Sequence, residues 1–141
     1  MQTLNIIAQL LNVTVQEDTN FWTEGVYNSL TNTLIVKDLN DTATVCHELW
    51  HRAIACGVQP TLSKGSNNTL IVSVLDYHFS ISENQVEVIA NLYDEDHWVE
   101  EVMCYTLENH PEVLLECVVQ MLKPKSSFFS KVSKVLNTKI W

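Results

Sequence analysis

Cys46-His47-Glu48-Leu49-Trp50-His51-Arg52-Ala53 carries the pattern H-E-x-x-H inside a stretch whose apolar spacing predicts a helix. Positions i and i+4 of a helix share one face about a turn apart, so His47 and His51 can present two imidazole nitrogens to a single zinc ion. Glu48 follows the first histidine, and its carboxylate reaches a water on the metal without taking a coordination position. That placement suits a general base in metal-assisted hydrolysis. Random placement in this composition yields such a match only ~0.02 times per chain, so chance is disfavoured. The competing reading is a partly buried helix whose two histidines and glutamate hydrogen-bond one another.

Working outward, Asp38-Leu39-Asn40-Asp41-Thr42 is rich in capping side chains, and Asn40 or Asp41 is placed to cap the motif helix. The helix is expected to run to about Cys56, with Gly57 as its C′ residue and Val45, Leu49, Ala53 and Cys56 as its buried stripe. Upstream, Leu4, Ile7, Ala8 and Leu11 predict a short opening helix, and Val13-Thr14-Val15 a strand. Phe21 to Asn28 and Thr33 to Val36, on either side of a polar turn, predict a β-hairpin. Downstream, Gln59 to Asn68 reads as loop and the apolar run Thr69 to Tyr77 as helix. Three more helices are expected, over Glu83 to Tyr93, His97 to Glu108 with Asp96 as cap, and Pro111 to Leu122 with proline in the first turn.

The chain has 141 residues, 46% of them hydrophobic, which suits one domain able to bury a core unaided. Cys46, Cys56, Cys104 and Cys117 show no C-x-x-C pairing and no basic-then-apolar leader precedes them, so reduced, mostly buried thiols in a cytoplasmic protein are expected. The apolar runs fall short of the roughly 20 residues a membrane helix needs. Net charge is −9, unevenly spread: residues 1–122 hold three cations against all 17 acidic residues, a net −14, whereas 123–141 hold five lysines and no acid. An acidic body repels phosphates, so no nucleic-acid partner is expected for it. The tail, with Phe128, Val132, Val135 and Leu136 at helical spacing, reads as a basic amphipathic helix that packs on the body or meets a membrane or partner. The domain reading is therefore 1–122 as the body and 123–141 as the C-terminal helix.

The order helix, strand, hairpin and H-E-x-x-H helix resembles the N-terminal half of zincin metallopeptidases. The run Gly25-Val26-Tyr27-Asn28-Ser29-Leu30-Thr31-Asn32-Thr33-Leu34-Ile35-Val36, followed by Thr44-Val45-Cys46-His47-Glu48-Leu49-Trp50-His51, looks like the small single-domain zincins of bacteria and their mobile elements, among them the ImmA/IrrE-type and ArdC-type peptidases. The resemblance covers roughly residues 3–110. It implies an α+β fold with a small twisted sheet on the motif helix, a mostly helical C-terminal half, and a strand edge along the substrate cleft. Val26 and its neighbours thereby become candidate substrate contacts.

An open zinc site needs a third protein ligand. The metzincin pattern would require glycine and histidine where Ile54 and Gly57 stand, which excludes that branch. Gluzincin-like families take a glutamate from a later helix. Glu87-Val88-Ile89-Ala90-Asn91 resembles the ImmA-type stretch, and Glu100-Glu101-Val102-Met103-Cys104 the E-E-x-x-A helix of the ArdC type. The second likeness implies Glu101 as ligand, with Glu87 and Glu100 as the alternatives. His78, His97 and His110 have no motif spacing to one another, and a surface or capping role is expected of each. His97, beside the glutamate helix, and Tyr105, one turn beyond Glu101, are nonetheless candidate donors to an oxyanion.

The reading that follows is a zinc peptidase of peptide or protein substrates: Zn²⁺ on His47, His51 and Glu101, with Glu48 as catalytic base. Its rival is a zincin-fold binding or inhibitor protein of a phage or mobile element, acting through its acidic surface without catalysis.

Overall fold

The computed structural model describes residues 2–123. Helix α1 (Gln2–Leu10) is followed by strands β1 (Thr14–Glu17), β2 (Gly25–Asn28) and β3 (Thr33–Val36), then by the motif helix α2 (Thr42–Cys56). Strands β4 (Thr61–Lys64), β5 (Thr69–Val74) and β6 (Tyr77–Ser82) come next, and helices α3 (Glu83–Ala90), α4 (Trp98–Leu107) and α5 (Pro111–Leu122) close the described chain. The expected tail helix lies outside the described residues apart from Lys123.

The first sheet has the order β1-β3-β2, with β1 parallel and β2 antiparallel to β3. β2 and β3 form the expected hairpin. Asn28 Oδ1 accepts from Leu30 N at 2.9 Å, and Asn32 takes the positive φ that closes the turn. Leu34 and Val36 are fully buried on one face of β3 and pack in the same core as α2. Because β3 occupies the centre, β2 is an edge, and it lies beside α2.

Both ends of α2 are set locally. Asp41 accepts from Thr44 N at 3.2 Å and from Thr44 Oγ1 at 2.6 Å, satisfying an otherwise orphaned amide. Gly57, at φ 124°, donates to Ile54 O while Val58 N reaches back to Ala53 O, a Schellman closure that a residue with a side chain adopts only with strain. Val45, Leu49 and Ala53 are buried as expected, but Cys56 is exposed at the helix end. The stripe also takes in Trp50, fully buried with its Nε1 donating to Leu107 O at 2.9 Å. That indole ties α2 to α4, and α1 and α5 complete the core through Leu4, Ile7, Val113, Leu114 and Val118.

Four expectations are corrected. There are two three-stranded sheets rather than one, the second an antiparallel meander β4-β5-β6. Thr69 to Tyr77 is strand and turn, not helix: the run is β-branched at Ile71, Val72 and Val74, buries Val72 and Val74 two apart, and pairs on both sides. Thr61–Lys64, expected as loop, is an edge strand of that sheet, with only Leu62 turned into the core, so its composition resembles a surface loop. The Asp96 cap is also replaced, since His97 occupies the N-cap position of α4 without a side-chain bond. The α+β class stands. Among the described residues no helix is long and apolar enough to cross a membrane.

Candidate metal centre

α2 and α4 pack together, and their polar faces meet at one point. Glu101 Oε1 lies 2.9 Å from His47 Nε2 and 3.1 Å from His51 Nε2. The far side of each ring is held as well: His47 Nδ1 is 3.1 Å from Glu108 and His51 Nδ1 is 2.6 Å from Glu100. Two imidazoles are thus gripped from behind by carboxylates while their other nitrogens aim at a common oxygen. The spacing explains the pattern on α4 and its C-cap, because Glu101, Tyr105 and Glu108 recur at i, i+4 and i+7 and share one face.

Glu48 differs from the other glutamates. It is 9% exposed, its carboxylate has no hydrogen-bond partner among the described residues, and it faces the cleft. His47, Glu48 and His51 each offer a ligand atom within 4.8 Å of the other two. Glu101 approaches the two rings more closely than this, at hydrogen-bonding distance.

The electrostatics follow from burial and these contacts. Burial alone would lower the pKa of His47, but hydrogen bonds to Glu101 and Glu108 raise it above 6.5. His51 is raised too: burial opposes this, and the neighbouring Cys104, Glu100 and Glu101 overcome it. Burial pushes Glu101 up, yet the two histidines outweigh it and hold the carboxyl down at about 2. Glu48 is raised chiefly by burial, against the pull of the two imidazoles. Burial also pushes the Cys46 thiol up to about 12 and that of Cys104 to about 11, which marks both as inert thiols.

The donor set fits a divalent ion. With neutral rings, Nδ1–H donors to Glu108 and Glu100 leave both Nε2 lone pairs facing the Glu101 oxygens, a repulsion that an added proton or a cation removes. Nitrogen and carboxylate donors, backed by carboxylates on the outer imidazole nitrogens, are the arrangement of histidine-based zinc sites. His47, Glu48 and His51, with Glu101 across from them, could therefore hold a metal.

The cluster opens into a cleft of about 800 Å³. Val26 from β2, His97 from the start of α4 and Tyr105 all line it, together with His47, Glu48, His51 and Glu101. Tyr105 packs edge-on to the His47 ring with centroids 4.5 Å apart, and its hydroxyl is 3.1 Å from that of Tyr93. Glu87 is exposed on α3 and does not line the cleft, whereas Glu100 lines it behind His51. His78 pairs with Ser73 at 2.8 Å, and His110 stacks on Phe79, both away from the cleft lining. Sequence reasoning missed Glu108, Tyr93 and Trp22. Glu108 had a usable signal, since it lies two turns after Glu101, while Tyr93 and Trp22 join the cleft through loops that leave no periodic trace.

No protein-family model, curated protein or solved structure matches this chain. What stands of the zincin resemblance is the His-Glu-x-x-His cluster, buried and within ligand distance on an α+β scaffold.

Proposed function

We propose that the protein is a zinc-dependent peptidase, with His47, His51 and Glu101 holding the ion and Glu48 as general base. The observation that carries this reading is the convergence of two imidazole nitrogens on the Glu101 carboxylate beside a buried Glu48 that has no hydrogen-bond partner among the described residues. When bound, zinc supplies Lewis acidity, which acidifies water and polarises a carbonyl. Every other step belongs to the chain. β2 offers the free edge of Gly25–Asn28 to the backbone of an extended peptide beside the cleft. Glu48, its pKa raised by burial, takes a proton from the attacking water and returns it to the leaving amine. Tyr105 and His97 are the cleft residues able to donate to the developing oxyanion. Glu108 and Glu100 orient the rings of His47 and His51.

The net −14 of residues 1–122 favours a second reading, in which the same fold binds a basic partner without catalysis. Metal content and turnover separate the two. Protein purified without added metal is expected to carry one zinc per chain and to cleave an unstructured protein such as casein. Glu48→Gln should keep the zinc and lose cleavage. Equal cleavage by the variant, or a chain that takes up no metal, removes the peptidase reading.

A further inference from the structure

The cleft has a charge of its own. Five carboxylates line it, Glu24, Glu48, Glu100, Glu101 and Glu108, and among the described residues no lysine or arginine does. Even a divalent ion on neutral imidazoles leaves three negative charges in excess. Two cations touch lining residues from outside the lining: Lys37 is 3.7 Å from Glu24 in an exposed pair, and Arg52 lies over the Tyr27 ring at 5.7 Å. The exposed run Asp94-Glu95-Asp96 leads directly into His97 of the cleft and extends the acidic field along that side. Trp22 also lines the cleft while remaining 81% exposed, tilted against Phe21 with ring centroids 5.8 Å apart and otherwise open among the described residues.

Carboxylates and a bare indole in one groove match one chemistry. Lysine and arginine side chains pair with carboxylates and stack on aromatic faces, whereas acidic chains are repelled by the first and not held by the second. Glu48 makes the groove a site rather than an acidic patch: it is a buried carboxylate that lines the cleft and has no hydrogen-bond partner among the described residues. We propose that the cleft selects extended peptides rich in lysine and arginine, held through Glu24, Glu100 and Trp22. The inference rests on the peptidase reading for the path of the backbone along β2, but binding does not require turnover.

The test uses zinc-loaded, full-length Glu48→Gln and three fluorescein-labelled decapeptides, alternating Ala with Lys, Ser or Glu, followed by fluorescence anisotropy. The Lys peptide is expected to bind at least about tenfold tighter than the Glu peptide at about 50 mM NaCl, with the gap narrowing at about 500 mM. Glu24→Lys added to this background should weaken the Lys peptide about fivefold, and Trp22→Ala about threefold, each with less effect on the Ser peptide. Both variants keep the basic tail constant, so these losses assign binding to the cleft. Equal binding of the three peptides, or indifference of the Lys peptide to Glu24→Lys, overturns the inference. Incubating the same peptides with the unmutated chain separates the two proposals. Selective binding by a chain that cleaves neither these peptides nor casein leaves the inference standing and removes the peptidase reading, while cleavage without charge preference does the reverse.

Discussion

Gly25 lies against Glu48 so closely that a Cβ at position 25 would meet Glu48 Cγ at 3.4 Å and Thr44 Cγ2 at 2.8 Å. The edge strand and the proposed base are therefore in contact, and the missing side chain is what lets β2 approach the helix. Thr44 cannot retreat freely, because its hydroxyl is bound to the capping Asp41. Gly25→Ala is expected to force β2 outward or to tilt Glu48, at a stability cost of about 1–3 kcal/mol typical of overpacking. Bound zinc should be unchanged, since the atoms nearest a Cβ at position 25 belong to Thr44, Val36 and Glu48 and not to a histidine, while kcat/KM should fall by about tenfold or more. Thermal melting, metal content and peptide turnover check the three parts separately. Unchanged turnover would mean that β2 does not set the position of Glu48.

Glu108 holds His47 from behind, 3.1 Å from Nδ1. Without it the imidazole loses its orienting acceptor and part of its basicity. Glu108→Ala should weaken zinc binding about 10–100-fold, read by competition with a chromogenic chelator. Glu108→Gln keeps an acceptor oxygen and should lose less. If both variants bind zinc like the parent, the contact is packing alone.

Zinc binding is expected to release protons and to tighten as pH rises. In the metal-free site His47 and His51 sit above the ordinary 6.5, so their contribution to stability is full below 6.5 and is lost as pH climbs through their raised folded values. Glu101 runs the other way. Its folded value of about 2 lies below the ordinary 4.5, so its contribution is present above 4.5 and disappears as pH falls toward 2. The metal-free fold is therefore most stable between these limits, where the imidazoles still carry the protons that zinc must displace. Titration calorimetry at neutral pH, in two buffers of different ionisation enthalpy, should report up to about two protons released per zinc. Heats that do not depend on buffer would show that the rings are already neutral.

Local chemistry made α2 legible: Asp41, Gly57 and the i, i+4 histidines are each readable without knowing what packs where. The second sheet was not. β4 keeps only Leu62 in contact with the core, and β5 carries an apolar run whose length suits a helix equally, so its identity comes from pairing with β4 and β6. The candidate centre divides in the same way. His47, Glu48 and His51 follow from spacing within one helix, whereas the approach of Glu101 rather than Glu87 depends on which later helix reaches α2. That is settled by Trp50 docking on Leu107 and by the core that Met103, Cys104 and Leu107 of α4 share with α2, contacts that no local pattern announces.

The third ligand is the point at which the proposed site is most exposed to test. Glu101 is the carboxylate that both imidazole nitrogens face, so removing it leaves two histidines on one helix, too few to hold zinc tightly at neutral pH. Glu101→Ala is expected to lose most bound zinc and all turnover. It should also destabilise the metal-free fold, by about 3–5 kcal/mol at most, because a buried and a half-buried imidazolium lose their shared partner. Glu100→Ala removes only the outer contact to His51 and should weaken zinc while leaving the site able to fill at high metal. Glu87→Ala, on an exposed face of α3, should change stability by no more than about half a kcal/mol and leave zinc untouched. Metal analysis of the three variants after dialysis gives the ordering directly. An emptied site in Glu87→Ala with a full one in Glu101→Ala would reverse the assignment, and zinc retained by all three would place the ion on ligands other than these glutamates.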